Sequence, residues 1–127
     1  MRKKENHRIT ILILLTIGLW GYHGLLSKFS EDLLKNRGFS FGWCDGMGWL
    51  ALPLYGVVFW KVRKKLSVGL ILILAGGGAN LVDRMSYGYV RDYWSLGIIN
   101  VYNNINDWFI VMGTVIFIYN LWKRKSK

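Results

Sequence analysis

Asp83, Asp92 and Asp107 are the acids that flank the ends of the third and fourth of four apolar segments in this chain. Two carboxylates held a few ångström apart cannot both ionise cheaply, so they share a proton. One then stays basic enough to activate water while the other can donate, which is the acid–base chemistry of an aspartic protease. Near a membrane boundary the coupling strengthens, and the two groups titrate as a pair. The surrounding residues fit the same use. Asn80 and Asp83 are three apart, one helical face, and Arg84 follows as the expected ion-pair partner of Asp83. GYVRDY then leads to Asp92, and NNINDW repeats the spacing with Asn104 and Asp107. The plain structural reading of such acids is as helix caps or salt-bridge partners. Asp107, directly before WFIVMGTVIFIY, is a candidate N-cap.

Other chemistries find little support. Cys44 is alone and is read as a structural thiol; with only His7 and His23 beside it there is no soft-ligand cluster for zinc or iron–sulfur. His7 lies among tail charges and His23 reads as an interfacial or packing residue. No G-x-S-x-G context surrounds Ser27, Ser40, Ser86 or Ser95. The net charge of +10 suggests a polyanion partner, but 12 of the 17 basic residues fall in three clusters, Arg2 to Arg8, Lys61 to Lys65 and Lys123 to Lys127. Each cluster abuts an apolar segment, so the charge reads as topogenic and lipid-facing, with no nucleic-acid partner.

The elements that must position the acids follow from the gaps between clusters. Ile9 to Ser27, Gly46 to Trp60, Leu66 to Val82 and Trp108 to Trp122 are apolar, and a composition of 53% hydrophobic residues leaves too little polar surface to cover four such helices in water. We expect an all-α membrane protein: one integral-membrane domain over residues 1–127, a bundle of four transmembrane helices with a small extracytoplasmic loop region. The first segment lacks a small-x-small cleavage site before Lys28 and reads as a retained helix rather than a secretion signal. Three basic clusters on one side of an even number of spans place both termini in the cytoplasm. The outer loops are then about Lys28 to Asp45 and Met85 to Asn106. Gly76, Gly77 and Gly78 strip bulk from the third span, as close helix packing requires.

The ordered set NRGFSFG, GANLVDR, GYVRDY and NINDW resembles the motifs of bacterial lipoprotein signal peptidase, or signal peptidase II, from Lys28 to Asp107. That resemblance implies a four-helix membrane enzyme of the cytoplasmic (inner) membrane, its site near the extracytoplasmic face. It would cleave signal peptides from diacylglyceryl-modified prolipoproteins just before the lipidated Cys, without metal or cofactor, as a monomer among membrane lipid. The motif G-x-V-x-D-[FY] puts one catalytic Asp at Asp92, and N-x-A-D puts the other at Asp107. Supporting residues fall on Asn80, Asp83, Arg84 and Asn104. The motif N-x-G-x-x-[FW]-G falls on Asn36, Gly38, Phe41 and Gly42, with Asn36 expected to hold the substrate backbone. At the end of the first helix Ser27 and Lys28 match Asp-Gln-x-[ST]-Lys, but Gly24 stands where that motif has Asp, and Asn106 stands where N-x-A-D has Ala. Two other readings use the same residues: a metal-dependent membrane enzyme on lipid phosphates, with Asp83, Asp92, Asp107 and Asn80 as hard oxygen ligands, and a non-catalytic channel or assembly subunit.

Overall fold

The structure, a computed structural model, describes residues 2–31, 33–38, 47–95, 97 and 101–126. Phe41, Gly42 and Cys44 lie outside the described residues. The described residues form the α-helices α1 (Arg2–Lys28), α2 (Ala51–Val62), α3 (Val68–Tyr87) and α4 (Ile105–Lys125). α1, α3 and α4 are long and apolar enough to cross a membrane. α2 is shorter, and single 3-10 turns at Gly48–Leu50 and Arg63–Lys65 extend it at either end.

α3 is the central element and packs mainly against α4 and α1. It starts where Ser67 accepts the Leu70 N–H and stops at Gly88, whose φ of 79° lets its N–H return to the Arg84 carbonyl. Small residues bring α3 and α4 together. A Cβ at Gly69 would lie 2.7 Å from the Gly113 carbonyl oxygen, and one at Gly113 the same distance from that of Gly69. Gly76 is pressed on the Asn106 backbone and Gly78 on Tyr55 and Thr16, whereas Gly77 has ordinary room. The glycine run thus serves close packing at two of its three positions. Between α1 and α3 lies an apolar core of Leu12, Leu19, Leu66, Leu74, Ala75 and Ala79.

The outer surface is inverted relative to a water-soluble bundle. Ile13, Leu14 and Ile17 of α1 and Met112, Val115 and Ile118 of α4 are exposed, while His23, Asn80, Asp83, Asn104 and Asn106 are buried. Apolar outside and polar inside is what a hydrocarbon solvent selects.

The polar residues gather where α1 and α3 finish and α2 and α4 begin. Among the described residues, two small antiparallel sheets lie at this end. β1 (Leu34–Asn36) pairs with β2 (Val90–Asp92), with Leu34 opposite Asp92 and Asn36 opposite Val90. β3 (Trp94–Ser95) pairs with β4 (Tyr102–Asn103), with Trp94 opposite Asn103. The fold is therefore mostly helical rather than all-α. Strands of two and three residues are too short to leave a readable alternation in sequence.

Candidate active site

Asp92 ends β2 and is 1% exposed. Its two oxygens accept amide hydrogen bonds, Oδ1 from Asn104 Nδ2 at 2.6 Å and Oδ2 from Asn36 Nδ2 at 2.9 Å. Burial pushes its carboxyl up to about 6, against the pull of both amides and with a further push from the negative charge of Asp107. Asp107 stands in the first turn of α4, where Oδ2 accepts the Asn104 backbone N–H at 3.1 Å and Oδ1 accepts Asn80 Nδ2 at 2.8 Å. Asn104 is the hinge of this arrangement. Its Oδ1 accepts the N–H groups of Asn106 and Asp107, closing a capping box at the helix start, while its own Nδ2 reaches Asp92. Asp107 is thus a capping-box partner as well as a neighbour of Asp92, so the structural and the chemical readings of this residue coexist.

The local sequence explains why these groups converge. Asn104 has extended backbone, the conformation an N-cap needs, and an N-cap amide has one oxygen for the helix and one NH2 left for a neighbour. Asn80 sits one α3 turn below Asp83 and ties its Oδ1 to Asn106 Nδ2, the only amide of that side chain with a donor to give. The Oδ1 of Asn106 has no partner among the described residues. Asn36 closes its own turn by accepting the Gly38 N–H at 3.0 Å, which aims its NH2 at Asp92.

Both carboxylates border a cavity of about 300 Å³. Asn36, Asn80 and Arg84 line its polar end, and Leu54, Tyr55, Val58, Ile73 and Ile110 continue it as an apolar trough between α2, α3 and α4. A peptide bond beside an apolar chain could lie here with the carbonyl at the carboxylates.

The expected Asp83–Arg84 pair is corrected. Arg84 gives Nη2 to the Gly38 carbonyl at 2.8 Å, and Asp83 turns the other way. The Asp83 carboxylate accepts Trp20 Nε1, His23 Nε2 and three N–H groups of Arg91, its backbone N, Nε and Nη2. Successive residues on a helix point about 100° apart, so adjacency in sequence does not make an ion pair. Because Asp83 is taken up in this way, it does not join Asp92 and Asp107 in the ligand set that the metal reading required, and among the described residues no three acids, histidines or cysteines gather as such a set. Lys28 is exposed in the last turn of α1 and is not among the residues lining the cavity. Asn36 gives one amide hydrogen bond to Asp92 and also lines the cavity.

Sequence reasoning missed four participants: Trp20, His23, Arg91 and Tyr93. Of the two readings of His23, interfacial or packing, burial selects the second, for its ring is fully enclosed. Gly24 lies beside one of them. A Cβ there would lie 3.6 Å from Arg91 Nη2 and 3.7 Å from Nη1, in ordinary contact with the arginine that precedes Asp92.

The sequence profile of the signal peptidase (SPase) II family matches residues 7–123. The chain belongs to this family. Among signal peptidase II relatives, the lipoprotein signal peptidase of Clostridioides difficile (strain 630) is 32% identical over 130 residues, covering 83% of this chain and 88% of that protein. That of Halothermothrix orenii is 34% identical over 109 residues, covering 77% and 73%. A solved bacterial membrane enzyme, determined by the in meso method at 2.3 Å resolution, shares the fold with a TM-score of 0.73 at 19% identity, covering 93% of this chain and 91% of its own. The signal peptidase II family consists of membrane peptidases, and the carboxylate arrangement described above is consistent with its aspartic type.

Proposed function

We propose that this chain is an aspartyl endopeptidase of the bacterial cytoplasmic (inner) membrane that removes signal peptides from diacylglyceryl-modified prolipoproteins, cutting before the lipidated Cys. The observation that carries the reading is Asn104, whose side chain holds Asp92 while its backbone N–H holds Asp107. In the reaction the ionised carboxylate takes a proton from water as the water oxygen bonds to the scissile carbonyl carbon. The protonated carboxyl gives its proton to the departing amide nitrogen as the C–N bond breaks. Asp92 and Asp107 share these two roles, and Asn36, Gly38, Asn80, Asp83, Arg84 and Asn104 support them; Lys28, exposed at the end of α1, has no contact with the carboxylates in this scheme.

A single domain over residues 1–127 does this work as a monomer, with four spans and both termini cytoplasmic. Supporting that topology, the three basic clusters lie at the start of α1 and the ends of α2 and α4, all at the end opposite Asp92 and Asp107. α2 with its flanking 3-10 turns comes to roughly 30 Å of helix, about the thickness of the hydrocarbon layer. The dyad then lies near the extracytoplasmic face, where a lipid-anchored peptide presents its cleavage site while its acyl chains stay in the bilayer. The apolar trough accepts the neighbouring hydrophobic chain. The test is to incubate the purified protein with a diacylglyceryl-modified prolipoprotein and with its unmodified form. A mass shift from loss of the signal peptide in the modified form alone is expected; no cleavage of either would overturn the reading.

A further inference from the structure

Asp92 lies between two residues that are both tied to Asp83. On one side Arg91 gives Asp83 its backbone N–H at 3.1 Å, Nε at 3.0 Å and Nη2 at 2.7 Å. On the other side the Tyr93 hydroxyl lies 3.3 Å from His23 Nδ1, and His23 Nε2 lies 2.8 Å from Asp83 Oδ2. The same hydroxyl oxygen accepts the backbone N–H of Ile105 at 3.2 Å, two residues before Asp107. An ionised Asp83 only accepts, so Nε2 carries the ring proton. The Tyr93 oxygen accepts the Ile105 N–H, which leaves the Tyr93 O–H to point at Nδ1, and Nδ1 accepts it. Burial holds the Tyr93 hydroxyl up at about 12, so it keeps the proton it donates. Every group in the chain Asp83–His23–Tyr93–Ile105 has its partner, and His23 is fully enclosed. Asn104 joins the two acids from within the site; this chain joins their backbones from behind it.

We propose that His23 is a positioning residue for the reaction: through the Tyr93 hydroxyl it fixes the backbone after Asp92 against the first turn of α4, and so the placement of Asp92 relative to Asp107. The proposal rests on the reading of Asp92 and Asp107 as the catalytic pair. The two ring nitrogens have separable effects. Nε2 orients Asp83 and contributes stability; Nδ1 seats Tyr93 and contributes dyad geometry.

His23→Asn, His23→Gln and Tyr93→Phe separate them. The Asn Oδ1 falls where Nδ1 was and can accept from Tyr93, but the side chain does not reach Asp83. The Gln amide reaches Asp83 and leaves the Tyr93 hydroxyl without its acceptor. Each variant is assayed for kcat and KM on a diacylglyceryl-modified prolipoprotein peptide, normalised to folded protein, and for its thermal midpoint. Tyr93→Phe and His23→Gln are expected to lower kcat on the order of 10- to 100-fold with KM little changed, as a small misplacement of reacting groups does. His23→Asn is expected to lose thermal stability yet retain markedly more kcat than His23→Gln. The double variant His23→Gln/Tyr93→Phe should be no slower than the slower single one. Unchanged kcat in Tyr93→Phe would overturn the proposal and carries the test should His23→Gln fail to fold. So would kcat losses that simply follow the thermal midpoints. Asp92→Asn and Asp107→Asn run alongside: cleavage by either overturns the catalytic pair itself, whereas their inactivity with a fully active Tyr93→Phe overturns only the positioning role.

Discussion

Replacing Asp83 by Asn removes the charge that anchors β2, and the structure gives the size of the effect. The carboxylate is wholly enclosed and accepts five N–H groups, from Trp20, His23 and three positions of Arg91. An amide of the same shape offers one acceptor oxygen and turns an NH2 toward those donors. Removing one partner of a buried ion pair costs about 3 to 5 kcal/mol, because the other charge is left without its counterion. Arg91 keeps some contact with water, its side chain being 11% exposed, and it rests on the Tyr87 ring at 4.6 Å. The lower end, about 3 kcal/mol, therefore applies. In a domain of this size that is a fall of roughly 10 °C in thermal midpoint. The assay is thermal unfolding of the detergent-purified variant, with cleavage measured on the folded fraction. Adding Arg91→Met removes the stranded charge and should recover at least about 1 kcal/mol relative to the sum of the single changes. An Asp83→Asn protein within about 0.5 kcal/mol of wild type and fully active would refute the anchoring argument.

Three further outcomes follow from the same geometry. Asp92 has a folded-state pKa of about 6, above its unfolded value of 3.8, so its contribution to stability is complete below 3.8 and is lost as pH rises through 6. Asp92→Asn should therefore stabilise the protein by about 3 kcal/mol at pH 7.5, read as a higher thermal midpoint, and have little effect at pH 4; an equal effect at both would contradict the burial argument. The alkaline limb of kcat/KM should reflect the same ionisation near 6, and Asn36→Ala, which removes a donor that favours the charged form, should move that limb to higher pH; an unmoved limb would mean that Asn36 does not act on Asp92. A reporter fused after Lys127 should report cytoplasm and one inserted near Asp32 the outside, and the opposite labelling at either site would defeat the four-span topology.

The long helices and the acids were legible in sequence because their signals are strong. α1, α3 and α4 follow from uninterrupted apolar runs bounded by basic clusters, and Asn80, Asp92, Asn104 and Asp107 from polar residues placed where polar residues are costly. The partners of Asp83 were not legible. They come from α1 and β2, 60 and 63 residues earlier and 8 residues later in the chain, and no local pattern encodes such a meeting. His23 read as interfacial or packing from its place near the outer end of the first apolar segment, and its ring is turned inward onto Asp83, a partner no local pattern reveals. Gly24 stood out only as a departure from the motif; that it lies beside the Arg91 guanidinium is visible only in the fold. The strands escaped because two or three residues define no period.

The central claim is that Asp92 and Asp107 act as one catalytic unit, and single and double substitutions measure it most directly. Cleavage of a diacylglyceryl-modified prolipoprotein peptide is followed for Asp92→Asn, Asp107→Asn and the double variant, each matched to wild type for folded protein in the membrane. Matching matters at Asp107, whose capping-box bond to the Asn104 N–H means that its loss also affects the start of α4. The account predicts that each single change abolishes cleavage and that the double change costs little more, since groups acting as a unit are strongly non-additive. Robust cleavage by a well-folded Asp107→Asn protein would contradict it and leave Asp107 as the cap of α4 alone.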